Sequence, residues 1–178
     1  MSNTAWIALL ELLDCAMKSA RGLPEKDKDG VSNWLGIEFR IADTSMIVPI
    51  NEVNEVLPVP RCTQIPGAKS YVKGLANVRG RLVPVIDLNR FFGRPSKAVF
   101  KDRRAFIVET EEFVTGLIVD EVVGMRHFDE EKYLPEVPVE HADFAPFMRG
   151  MFADDGKGWS IFSPRFLTRD ERFTQVAI

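Results

Sequence analysis

A chain of 178 residues with 46% hydrophobic and 28% charged side chains, twelve glycines and eleven prolines has the composition of a folded globular protein, which excludes disordered and collagen-like classes. The net charge of −3 is uneven, residues 34–94 carrying eight basic and five acidic side chains and residues 95–178 eleven and sixteen. Such sidedness suits oriented docking to other proteins, with chance as the competing reading. Two cysteines, Cys15 and Cys62, are too few for a disulfide framework or metal cluster and read as small hydrophobes in a reducing compartment. No apolar run approaches the roughly 18 residues of a membrane helix. The N-terminal stretch lacks a basic start and is broken by Glu11 and Asp14, so a cytoplasmic protein without a secretory signal is expected.

Taken in chain order, residues 4–21 place Trp6, Leu9, Leu10, Leu13 and Met17 on one helical face, and a charged linker follows to residue 33. From Trp34 the period changes to two, which predicts a strand through Ile41 and a second at Met46–Ile50, where Pro49 implies an edge or a bulge. Short strands are expected at Val53–Leu57 and Thr63–Ile65. Gly74–Val78 and Leu82–Ile86 flank Arg79-Gly80-Arg81, the strongest hairpin signal. Asp87 can cap a short helix ending before Gly93.

The second half repeats this plan with strands at Ala105–Glu109, Phe113–Val119 and Gly124–Phe128, an acidic loop over 129–146, and a hairpin from Met148–Phe152 to Trp159–Phe162. Pro164 opens a final helix expected to reach about Val176. Ile47–Val53 lies over Gly116–Val122 at an offset of 69, and Lys73–Ile86 over Arg149–Phe162 at an offset of 76. This recurrence predicts two similar small β-barrels. The expected division is 1–33 for the N-terminal helix and linker, 34–94 and 95–163 for the barrels, and 164–176 for the last helix.

Catalytic patterns are scarce. Gly150 to Gly156-Lys157 has the wrong glycine spacing for a phosphate loop and joins two strands rather than opening a helix. His127-Phe-Asp129 and His141-Ala-Asp143 hold the two histidines of the chain, without the further ligands a metal site needs. Neither metal, cofactor nor enzymatic activity is expected. The basic cluster Lys69, Lys73, Arg79, Arg81, Arg90 and Arg94 keeps a nucleic-acid-binding barrel as an alternative, although its aromatic residues fall mostly at core positions. Strands without catalytic groups and with sided charge point to an interaction module.

The run Tyr71-Val-Lys-Gly-Leu-Ala-Asn77-Val-Arg79-Gly80-Arg-Leu-Val-Pro84-Val-Ile-Asp87-Leu88 resembles the signature of CheW-like chemotaxis coupling proteins. Pro49–Val56, Ile65–Ala68 and Gly116–Val122 add to the likeness, which spans about 34–167. The N-terminal helix and Gly124-Met-Arg-His-Phe128 look most like adaptors of type IV pilus twitching motility, with the flagellar adaptor as alternative. The family's fold is two SH3-like five-stranded β-barrels, here with an N-terminal amphipathic helix and a short C-terminal helix. The resemblance implies a non-enzymatic adaptor joining the cytoplasmic tip of a methyl-accepting chemoreceptor to the regulatory domain of a CheA-type histidine kinase. It implies no nucleic acid and no membrane insertion. By motif it places partner binding at Val53, Glu55, Val56, Asn77, Arg79 and Gly80. Each keeps a plainer reading: Val53 and Val56 as barrel core, Glu55 as a solvated charge, Arg79 and Gly80 as turn formers.

Overall fold

The computed structural model describes residues 33–136, 139–154 and 156–176; the helix expected over 4–21 and its linker lie outside the described residues. The chain is mainly β, with two sheets. One has the order β8 (Glu121–Asp129), β1 (Asn33–Ile41), β2 (Thr44–Pro49), β11 (Lys157–Phe162), β10 (Met148–Asp154), β9 (Tyr133–Leu134). The other runs β3 (Glu55–Pro58), β6 (Arg104–Glu109), β7 (Val114–Val119), β5 (Arg81–Asp87), β4 (Val72–Val78).

The internal repeat is structural. Hairpin β4–β5 carries a bulge between Val72 and Gly74, and hairpin β10–β11 carries one between Met148 and Gly150. Both glycines adopt positive φ, 135° and 132°. A Cβ on Gly74 would lie 2.2 Å from the Thr63 carbonyl oxygen and one on Gly150 2.4 Å from that of Leu134, so the adjoining chain can approach only a glycine. Each hairpin then pairs in parallel with a strand from the other sequential half, Val85 opposite Gly116 and Ile161 opposite Ile47. After each comes a capped helical turn. Asp87 accepts from the Asn89 and Arg90 amides at α1 (Leu88–Phe91), and Ser163 accepts from the Phe166 amide at α2 (Pro164–Leu167).

Sequential halves do not coincide with sheets. β3 follows β2 but pairs with β6, whereas β8 follows β7 but pairs with β1. The first sheet is built from β1, β2 and β8–β11, and the second from the contiguous strands β3–β7. Alternation along a strand says which face is buried but not which neighbour supplies the hydrogen bonds.

The strands β2, β5, β7 and β11 are buried on both faces, which explains their continuous apolar runs. Ile47, Ile161, Phe128, Phe152 and Trp159 fill the curve of the first sheet, and Ala76, Val85 and Ile118 that of the second. Between the sheets lies a larger shared core including Phe39, Met46, Val48, Ile86, Phe106, Leu117 and Phe162. The first sheet curls: Phe128 on β8 stacks against Phe152 on β10 at 4.8 Å and 13°, although their strands stand four places apart in the sheet order.

Two local expectations change. Pro49 sits at the end of an interior strand, opposite Gly36, and the parallel neighbour engages β2 at Ile47, so its missing N–H breaks no ladder. The C-terminal helix is two short ones, α2 and α3 (Glu171–Thr174). Asp170 accepts from the Arg172 amide and starts a new N-cap there, which interrupts the first helix.

Candidate functional site at the β4–β5 hairpin tip

Val78 pairs with Arg81, leaving Arg79-Gly80 as a two-residue turn. Both take positive φ, 51° and 83°, the combination of the primed turn that matches strand twist. Gly80 adopts this freely. Arg79 does so at a backbone cost of order 1–3 kcal/mol. Asn77 supports the turn, its Oδ1 accepting from the Gly80 amide at 2.8 Å.

Arg79 Nη2 donates to Glu55 Oε1 at 2.8 Å. Glu55 lies on β3, at the opposite end of the sheet from β4, so this ion pair also marks the curl of the second sheet. Arg79 has 79% of its side chain exposed and Glu55 27%; an exposed pair of this kind contributes only ~0.2–1 kcal/mol. Beside it Arg81 donates to Glu109 at 3.0 Å, and Leu82 stands 72% exposed. Leu82 thus leaves an apolar side chain in solvent near the hairpin tip.

Thus Glu55, Asn77, Arg79 and Gly80 come together. Val53 and Val56 do not join them: at 3% and 1% exposure they belong to the shared core. Val56 alternates with Glu55 along β3 and faces the core, whereas Val53 precedes that strand and follows the helical turn Ile50–Glu52. The sequence reading passed over Leu82 and Glu109. Leu82 was accessible through period two, because Val83 and Val85 on the same strand are buried. Glu109 carried no such local signal, since its pairing with Arg81 depends on how the sheet curls.

A cleft of about 480 Å³ continues from Glu109. One wall is the β6–β7 turn, Glu109–Phe113, and the other is Arg165, Thr168 and Arg169 at α2. It therefore runs between elements of the two sheets.

Below the crossover from α1 to β6, Arg103 donates two hydrogen bonds to Asp87, at 3.0 and 2.9 Å, and its Nε lies 3.2 Å from Asp120. These side chains are 12%, 8% and 5% exposed, so the guanidinium neutralises two buried carboxylates.

The sequence's basic cluster is largely answered by acids, with Arg79, Arg81 and Arg94 each paired to a carboxylate. His127 is exposed on β8, the side chain of His141 lies outside the described ones, and the described residues hold no group of three metal-ligating side chains. No described helix is long and apolar enough to cross a membrane. Burial pushes the Cys62 thiol above its ordinary value, with Lys73 partly opposing, which keeps it protonated and unreactive.

Comparison with known proteins agrees with this geometry. Residues 35–172 match the model of the CheW-like domain family. The chain is 40% identical to Protein PilI of Pseudomonas aeruginosa over 99% of its own length and 98% of that protein. It is 33% identical to Protein FrzA of Myxococcus xanthus over 54% of this chain and 61% of that one. The crystal structure of the scaffolding protein TtCheW from Thermoanaerobacter tengcongensis superposes with a TM-score of 0.69 at 32% identity, covering 79% of this chain and 96% of that one. With its family match, its near full-length relative and its two-sheet architecture, the chain belongs to the CheW-like family and is an adaptor of the chemotaxis type.

Proposed function

We propose that the chain couples the cytoplasmic tip of a methyl-accepting chemoreceptor to the regulatory domain of a CheA-type histidine kinase, in a system controlling type IV pilus twitching motility. Its part is non-enzymatic and cytoplasmic. The observation that supports this most is the residue at the hairpin tip. The second hairpin has Asp155-Gly156 where the first has Arg79-Gly80, and Asp-Gly is an ordinary choice for such a turn. An arginine at φ 51° is a poor turn former, so its guanidinium fork is favoured for recognition.

The pair with Glu55 suits that role. It holds Arg79 in one orientation at low cost, and a partner carboxylate or helix-end carbonyl can replace Glu55 without burying an unpaired charge. Leu82 supplies apolar contact alongside, and the cleft from Glu109 to Arg169 has the placing for a helix laid between the sheets. Signalling follows if receptor or kinase binds this surface differently in its two activity states.

Calorimetry with the kinase regulatory domain and with a receptor-tip fragment tests the reading. Micromolar or tighter binding is expected. Arg79→Glu, which sets two carboxylates against each other, should weaken it at least tenfold with the thermal midpoint nearly unchanged. Absence of binding to both partners refutes the reading.

A further inference from the structure

The cleft between the β6–β7 turn and α2 has walls of opposite charge. Glu111 and Glu112 are exposed on the turn, and Arg165 and Arg169 are exposed on the facing wall. None of these four has an ion-pair partner among the described residues, in contrast to Arg79, Arg81, Arg94 and Arg103 elsewhere on the surface or beneath it. Two acids and two bases thus face one cleft and do not neutralise one another across it.

Both walls are held firmly. Thr110 closes the turn, its amide donating to the Phe113 carbonyl at 2.9 Å and its hydroxyl accepting from the Phe113 amide at 3.2 Å. On the other side the Arg165 amide donates to buried Glu52 at 3.0 Å, and Ser163 donates to the same carboxylate at 2.8 Å. Phe113 lines the cleft and packs against the shared core. The charged side chains therefore project from fixed backbones on either side of a partly apolar lining. That arrangement suits a body with an apolar strip between a basic flank and an acidic flank.

We infer that this cleft selects its partner helix by charge: the receptor-tip helix seated there presents cationic side chains to Glu111 and Glu112 and anionic side chains to Arg165 and Arg169. The two walls fix the helix's rotation about its axis, since turning it over would set like charges together. The inference rests on the receptor-coupling reading and adds residues and a partner chemistry to it.

The experiment measures binding of a receptor-tip fragment from the same cell to the full chain and to two double variants, Glu111→Lys with Glu112→Lys and Arg165→Glu with Arg169→Glu. The first raises net charge by four and the second lowers it by four. Steering by overall charge would strengthen one and weaken the other. Opposed walls weaken both, by about tenfold at low salt, with the loss shrinking as salt screens the rim. Thermal midpoints close to wild type confirm that the variants are folded, and Glu111→Gln with Glu112→Gln and Arg165→Gln with Arg169→Gln give smaller losses of the same sign if either reversal is not. Wild-type binding left unchanged by the substitutions, or changed in opposite directions by the two reversals, overturns the inference alone. A wild-type chain that binds no receptor tip overturns the coupling reading and the inference with it.

Discussion

Hairpins β4–β5 and β10–β11 are the same device built twice on different contents. Each has its bulge glycine, its parallel neighbour and a helix cap at the same offset of 76. Their interiors and tips diverge. The first encloses small residues around Ala76 and Val85, the second a group of rings around Phe128, Phe152 and Trp159. Arg126 and Lys157 lie over Trp159 at 4.2 and 3.8 Å, so cations close the ring-filled interior from outside. At the first tip the cation reaches Glu55 instead. Shared features thus carry the fold, and on the proposed reading the departures at one tip carry recognition.

The caps provide the largest test of that comparison. Arg103→Met leaves Asp87 and Asp120 buried without their cation and should cost about 3–5 kcal/mol, read as a fall of about 10 °C in thermal midpoint. The ion pair beside the other cap joins Arg149 to Glu52 at 2.6 Å, with Arg149 39% exposed. Arg149→Met should cost clearly less, because Glu52 keeps its bonds from Ser163 and the Arg165 amide. Equal losses would show that the two caps are energetically alike.

Next come the bulges. Gly74→Ala and Gly150→Ala each drive a methyl into a neighbouring carbonyl and add strain at positive φ, for an expected loss of about 3 kcal/mol in chemical denaturation. Similar values would confirm the repeat as an energetic one, and a harmless substitution at either site would end the equivalence there.

Arg79→Asn sharpens the contrast between the tips. Asparagine accepts the left-handed turn position readily, so stability should hold or rise by ~0.5–1 kcal/mol while binding of receptor or kinase falls. Lower stability would make Arg79 a structural residue after all.

Much of this was legible locally. Alternation located the strands, the two-residue spacing before Arg81 located the turn, and Asp87 announced its helix. What escaped was non-local. No pattern within Val53–Leu57 reveals that β3 crosses to β6, and without that knowledge Val53 and Val56 look as available as Glu55. The C-terminal break was missed because Asp170 reads as one more polar residue until its carboxylate is seen to cap a second start.

That cap carries the smallest expected effect. Hydrogen bonding to the Arg172 guanidinium holds the Asp170 carboxyl below its ordinary value of 3.8, with burial partly opposing. A depressed carboxylate contributes stability that is present above its unfolded value and lost as pH falls through the folded one. The segment around Phe173 and its contact with Tyr71, whose hydroxyl donates to the Arg172 and Gln175 carbonyls, should therefore loosen slightly as pH falls below the ordinary carboxyl value of 3.8. NMR shifts of the Phe173 ring would record it, and Asp170→Asn, which keeps the cap without titrating, should flatten the profile.

The splitting of the first sheet around the second in sequence has a consequence for the birth of the molecule. β1 finds its second neighbour only when residues up to Asp129 have been made, and β2 finds its own only when Ile161 arrives. A nascent chain stopped after β7 has completed the second sheet but left the first as a bare hairpin. Assembly must therefore wait for most of synthesis and then close long loops, a topology that slows folding. The core shared between the sheets then ties the late-completed first sheet to the early one.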